Sequence, residues 1–283
     1  MRDIASRAPG RRSREWQQRL ARYMGNAPAA TVVKLLVGVR QSIYRLRCGI
    51  RFYLHAWGPK PGLSTFLGYY PDGFAAHPAV GDLYRKWIRG NRTNNNGDAA
   101  RFISLVLNLR QIQEESIEGD FAELGVWKGN SAAVLAHFAA GSNRRLFLFD
   151  TFSGFDARDL VGCDESKTLE FADTSLEYVQ ETVGHAELTT YLKGYFPNSI
   201  SDAVRETRFA LVHLDCDLYE PMKAAHDFFY ARMSRGAILI MHDYSSGAWD
   251  GAKTAIDEFC RATGEYLSLW PDKSGTAVIR KSR

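Results

Sequence analysis

Phe209-Ala-Leu-Val-His-Leu-Asp-Cys-Asp217 and, further on, Ala237-Ile-Leu-Ile-Met-His-Asp243 decide the fold. Each is an apolar run of the kind a fully buried parallel strand needs, and each breaks into acidic or imidazole groups at its C-terminal end. In open α/β sheets, ligands bind in the crevice beyond those ends. Two neighbouring strands that deliver Asp215, Asp217, His242 and Asp243 there build a compact corner of oxygen and nitrogen. Such a corner can hold a divalent cation or abstract a proton.

On an extended backbone Asp215 and Asp217 point to one side and Cys216 to the other, which makes Cys216 a packing residue. Two carboxylates facing one site repel unless one is protonated or a cation sits between them. A hard cation such as Mg²⁺ takes oxygen ligands, which Asp215 and Asp243 offer, while the imidazole of His242 tilts the set toward Mn²⁺. A metal there can bind neighbouring substrate hydroxyls and lower the pKa of one, so that a carboxylate takes its proton. The bland alternative is a hydrogen-bonded cap on two strand ends. His213, His137 and His226 read as packing or locally bonded groups.

Around these strands the chain alternates. Asp98 is placed to cap a helix through Gln113, with Phe102, Leu105, Val106 and Leu109 along one face. Strands are expected at 119–124, 145–150 and 188–192. Helices are expected at 131–140, 174–183, 197–205 (opened by Pro197), 219–233 and 249–262. A closing pair of strands, 266–270 and 276–280, flanks the turn 271–275. The expected fold is α/β: a doubly wound, mostly parallel, seven-stranded Rossmann-like sheet with an antiparallel C-terminal hairpin and an N-terminal helical extension. The loop 151–172 exceeds ordinary connection lengths, which suits a lid or binding loop.

Phe121-Ala-Glu-Leu-Gly-Val-Trp-Lys-Gly-Asn-Ser131 runs from strand through a glycine turn into a helix. Gly125 and Gly129 allow a tight turn and close approach of backbone to ligand. The run is neither G-x-G-x-x-G nor a phosphate loop. Glu123 disfavours a pyrophosphate and suits a ligand with a positive end, such as the amino group of S-adenosylmethionine. Asp150 ends the next strand, where an acid commonly binds both hydroxyls of a ribose.

Residues 1–51 hold twelve Lys/Arg and two Asp/Glu, against a net charge of +4 for the whole chain. Residues 1–90 are expected to form a basic, partly helical extension and 91–283 the catalytic domain, divided at the polar break 91–97. The basic arm is a candidate for peripheral membrane contact, and the apolar stretch 32–57 for a membrane surface or a homo-oligomer interface. Arg11-Arg-Ser-Arg14 is too short for a nucleic-acid patch, and the run 32–39 is far short of the ~20 residues that span a bilayer. The four cysteines form no C-x-x-C pair, which favours a reducing cytoplasm.

Several motifs in order resemble the macrocin O-methyltransferase family of class I S-adenosylmethionine-dependent enzymes over about residues 91 to 263. They are 118–131, Phe149-Asp-Thr-Phe-Ser-Gly-Phe155, Lys193-Gly-Tyr-Phe-Pro197, Leu214-Asp-Cys-Asp-Leu-Tyr-Glu-Pro221 and His242-Asp-Tyr244. The resemblance implies Mg²⁺-assisted methylation of sugar hydroxyls, with Asp215 as metal ligand and general base and Asp243 as second ligand. It also implies Glu123, Gly125, Ser131, Asp150 and Phe152 as cofactor-binding residues. Arg92 and Thr93 are placed to close over the methionine end of the cofactor. The family often carries two adjacent acids where this chain has His242-Asp243. The expected function is transfer of a methyl group from S-adenosylmethionine to a hydroxyl of a glycosylated or polyhydroxylated small molecule. The alternatives are a non-catalytic scaffold that keeps the cofactor fold and a nicotinamide-dependent oxidoreductase, which the missing G-x-G-x-x-G disfavours.

Overall fold

The computed structural model describes residues 80–90 and 98–282. The basic arm, the stretch 32–57, and Arg92 and Thr93 lie outside the described residues. Seven strands form one sheet: β1 (Asp120–Leu124), β2 (Leu146–Asp150), β3 (Thr189–Lys193), β4 (Phe209–Leu214), β5 (Met233–Met241), β6 (Ser268–Leu269) and β7 (Ala277–Arg280). Their order is β3-β2-β1-β4-β5-β7-β6. The first five are parallel neighbours, and β7 runs antiparallel between β5 and β6. The strand order reverses between β1 and β4, which places a crevice at their carboxyl ends.

Helices α1 (Gly81–Gly90), α2 (Ala99–Glu114), α3 (Asn130–Ala140) and α4 (Leu176–Val183) contribute to the core on one face of the sheet. Helices α5 (Asp202–Arg205), α6 (Tyr219–Phe229) and α7 (Asp250–Thr263) contribute to the core on the other. The apolar stripe of α2 is fully inside: Phe102, Leu105, Val106 and Leu109 are all buried, and Asp98 caps the helix through the N–H of Arg101. Residues 80–90 precede the boundary drawn at 90/91, yet Val80 and Trp87 belong to the same core, and the Trp87 indole donates to the carbonyl of Asp98. Among the described residues no helix is long and apolar enough to cross a membrane.

Three expectations change. The helix opened by Pro197 is instead a turn at 196–199, and α5 begins only at Asp202; Pro suits a turn as readily as a first helical position. Met233 starts β5 rather than ending α6. The fourth strand stops at Leu214, and Asp217 adopts a left-handed conformation with φ 61°, so the Asp-Cys-Asp run is a turn, not extended backbone.

That turn brings the ends of β1 and β4 against each other. Gly125 has φ 85°, and a Cβ there would overlap the carbonyl group of Asp215. Gly125→Ala is therefore expected to lower stability by about 2 kcal/mol or more, through left-handed strain and separation of the strand ends. Thermal melting checks this. An unchanged melting temperature would mean that the two ends part without cost.

Candidate active site

A cavity of about 240 Å³ opens at the carboxyl ends of β1, β2, β4 and β5. Gly125, Ser131, Asp150, Asp215, Asp217 and Asp243 all line it. The loop 151–172 closes one side: the Phe155 N–H donates to the carbonyl of Glu170 at 3.1 Å, and Asp164 accepts the Tyr219 N–H at the start of α6. Phe155 and Phe171 from this loop pack edge-on at 5.1 Å, with Trp249 and Trp127 as their further partners. These aromatic residues also line the cavity.

The acidic corner is real, but its membership differs from expectation. Single oxygens of Asp215, Asp217 and Asp243 all lie within 4.8 Å of one another. Asp217 and Asp243 are each only 8% exposed. Burial first, then repulsion from Asp243 and Asp215, pushes the Asp217 carboxyl well up. Asp243 is pushed up to about 7, again by burial and then by Asp215. Asp217 and Asp243, whose ionisation is disfavoured beside the Asp215 carboxylate, suit a cation that would displace the proton.

His242 does not join this set. It is fully buried, its Nε2 lies 2.6 Å from His213 Nε2, and its Nδ1 lies 2.8 Å from Thr276 Oγ1. Both ring nitrogens are engaged, which leaves none for a metal. Asp217 takes the place assigned to it.

Glu123, Gly129 and Phe152 also move off the expected cofactor surface, since none of the three lines the cavity. Glu123 is fully buried beside His213, its partner in the sheet register. Its Oε1 accepts the Ser131 hydroxyl and lies 2.8 Å from His213 Nδ1. Burial pushes its carboxyl up despite that imidazole. Gly129 starts α3 at φ 80°, with Val183 and Val179 of α4 where a Cβ would go. Phe152 packs against Tyr191 and gives only its backbone N–H to Asp150 Oδ1, at 2.6 Å. Asp150 lines the cavity, and its Oδ2 anchors the glycine turn by accepting the N–H groups of Val126 (2.6 Å) and Trp127 (3.0 Å).

Beneath the carboxylates lies a continuous buried chain: Glu123, His213, His242, Thr276, Asp272. Thr276 donates its hydroxyl to Asp272 Oδ2, so it accepts from His242 Nδ1–H. Burial holds His242 well below its usual pKa and therefore neutral, so its Nε2 accepts from His213 Nε2–H. One proton then lies between His213 Nδ1 and Glu123 Oε1, and that pair is neutral overall. His226, stacked on Phe259, is likewise pushed down to about 3 by burial.

Arg101 escaped the sequence reading. It reaches the cavity wall from α2, and its Nη1 donates to Asp215 Oδ2 at 3.4 Å. Burial alone would lower its pKa, but the carboxylates of Asp215, Asp272, Asp243 and Asp98 together hold it raised. The local sequence offered one signal only, a basic residue beside the buried stripe of α2.

Comparison with known proteins agrees with this architecture. The chain is 25% identical over 195 residues to demethyldecarbamoylnovobiocin O-methyltransferase of Streptomyces niveus, covering 62% of this chain and 73% of the relative. It is 27% identical over 174 residues to 8-demethyl-8-(2,3-dimethoxy-alpha-L-rhamnosyl)-tetracenomycin-C 4'-O-methyltransferase of Streptomyces olivaceus, covering 56% and 64%. The structure of the O-methyltransferase NovP shares the fold, with a TM-score of 0.59 at 20% identity over 76% of this chain and 99% of that one. The macrocin-O-methyltransferase (TylF) family pattern matches residues 97–267. This chain belongs to the macrocin-O-methyltransferase family and has the fold of the S-adenosylmethionine-dependent class I methyltransferases.

Proposed function

We propose that the protein transfers a methyl group from S-adenosylmethionine to a hydroxyl of a sugar-containing or polyhydroxylated small molecule, assisted by a divalent cation. The observation that carries this reading is that Asp215, Asp150 and Gly125 line one cavity, with Asp217 and Asp243 beside Asp215. The names of the two curated relatives support the acceptor class, one of them carrying a rhamnosyl group. Family membership sets the oxidoreductase aside.

When bound, S-adenosylmethionine supplies an electrophilic methyl group. Asp150, on the wall at the end of β2, is placed to accept from a ribose hydroxyl on Oδ1, since the glycine turn occupies Oδ2 and the Phe152 N–H takes one lone pair of Oδ1. Ser131, itself held by Glu123, is the polar group at the start of α3 that faces the ligand. The aromatic residues of the 151–172 loop and Trp249 exclude water from the reaction. Asp215 takes the proton from the acceptor hydroxyl as general base. Asp215, Asp217 and Asp243 would hold the cation, which supplies Lewis-acid activation of that hydroxyl when bound. The free thiols of Cys163, Cys216 and Cys260 suit a cytoplasmic location. Self-association and membrane contact through the basic arm complete the proposal.

Calorimetry is expected to show S-adenosylmethionine binding to the purified protein, and no binding at high micromolar protein would end this reading. With an acceptor in hand, Asp215→Asn is expected to lower kcat by about 10²- to 10⁴-fold, the usual range for a lost general base. Full activity in Asp215→Asn, or in excess EDTA, would remove the base or the metal respectively.

The corner also makes a pH prediction. Asp243 has a folded pKa above its unfolded value of about 3.9. Without a cation, its contribution disfavours the folded state increasingly as pH rises from about 4 through about 7. Asp243→Asn removes this term, while buried His242 and His226 titrate alike in both proteins and cancel. In EDTA, the variant's advantage in melting temperature should grow by roughly 3 °C or more between pH 5 and pH 8. An advantage that is the same at both pH values would contradict the geometry.

A further inference from the structure

We propose that Arg101 is a positioning residue for Asp215, and that the 271–275 turn of the C-terminal hairpin is the bracket that holds it. The kinetic part of this proposal rests on the methyl-transfer reading; the geometric part does not.

Arg101 is 6% exposed, yet it reaches the cavity wall. Its guanidinium is divided among three groups. Nη1 donates to Asp215 Oδ2 at 3.4 Å, Nη2 to Ser274 Oγ, and Nε lies 3.5 Å from Asp272 Oδ2. The bracket is itself fixed. Asp272 accepts from Thr276 through both oxygens, the backbone N–H at 2.9 Å and the hydroxyl at 2.6 Å. Asp98 joins the helix to the turn by accepting the N–H of Arg101 on one oxygen and that of Lys273 on the other.

A planar fork hydrogen-bonded to Ser274 and ion-paired with Asp272 is restricted in the direction in which it can present its third N–H. Asp215 follows the end of β4 on a turn, with a side chain 24% exposed. It has rotational freedom unless something holds it. With Oδ2 held by Arg101, Oδ1 is left for the acceptor hydroxyl. This gives a role to a hairpin turn far from the glycine motif, and to an arginine buried among Asp98, Asp215, Asp243 and Asp272. Lysine would preserve the charge and lose the fork.

Two measurements test the assignment. In EDTA, the wild type, Asp215→Asn, Arg101→Met and the double variant are melted. Replacing Asp215 should change the melting temperature more favourably in the Arg101→Met background than in the wild type, by about 3 °C or more. Equal shifts in both backgrounds overturn the pairing, and this cycle needs neither cofactor nor acceptor. If Arg101→Met does not fold, the same cycle with Asp272→Asn in its place reads the bracket.

In the second measurement, Arg101→Lys should lower kcat roughly 10- to 100-fold, while the S-adenosylmethionine Kd and acceptor KM stay within about threefold. Asp272→Asn should act in the same direction, and Arg101→Lys/Asp272→Asn should be no worse than the weaker single variant. An intact kcat, a loss confined to KM, or losses that multiply in the double variant overturn the positioning role. Failure of the wild type to bind S-adenosylmethionine counts against the methyl-transfer reading alone.

Discussion

The carbonyl of Asp215 lies where a side chain on Gly125 would have to go, and the geometry of the site follows from that contact. The residue just after each central strand extends the ladder by one bond. Gly125 N–H donates to the carbonyl of Phe149, Asp215 N–H to Leu124, and His242 N–H to Leu214, at 2.9–3.0 Å. These bonds fix the first residue of each loop as firmly as the strand before it. The chain then turns back through left-handed residues, Asp217 at φ 61° and Asp243 at φ 63°. Aspartate is among the few non-glycine residues that tolerate this conformation. The turns deliver three carboxylates to one point from two loops.

The charge arrangement follows from the same stitching. Three acids on the cavity wall sit above a buried floor, the Glu123–His213–His242–Thr276–Asp272 chain. Each member of that floor is hydrogen-bonded to the next, which limits the desolvation cost of burying it, and Glu123 Oε2 alone is left without a partner. Its far end meets Arg101, which returns to Asp215. The floor thus separates two histidines from the chemistry and keeps the carboxylates and one guanidinium for it.

Much of this was legible in the sequence because buried parallel strands are continuous apolar runs and their ends are where polarity returns. The α2 helix was legible for a related reason: Asp98 and the Phe102–Leu109 stripe obey local rules of capping and periodicity. Asp215, Asp243, Asp150 and Gly125 line one cavity because strand ends determine their positions. His242 turns away from the acids because its orientation is decided by His213, on β4, and Thr276, just before β7. Glu123 faces the helix layer instead of the ligand, a consequence of the register that pairs it with His213. Arg101 left only a weak local signal because its side-chain partners come from 114 to 173 residues away. Pro197 misled because one residue type serves both turns and helix starts.

The central claim is that Asp215 stands between methyl donor and acceptor at the joined ends of β1 and β4. A crystal structure with S-adenosylhomocysteine bound tests it most directly. The account predicts the ribose at Asp150 and the sulfur directed over Gly125 toward Asp215. A ligand outside this cavity, or one whose sulfur faces away from Asp215, would contradict it.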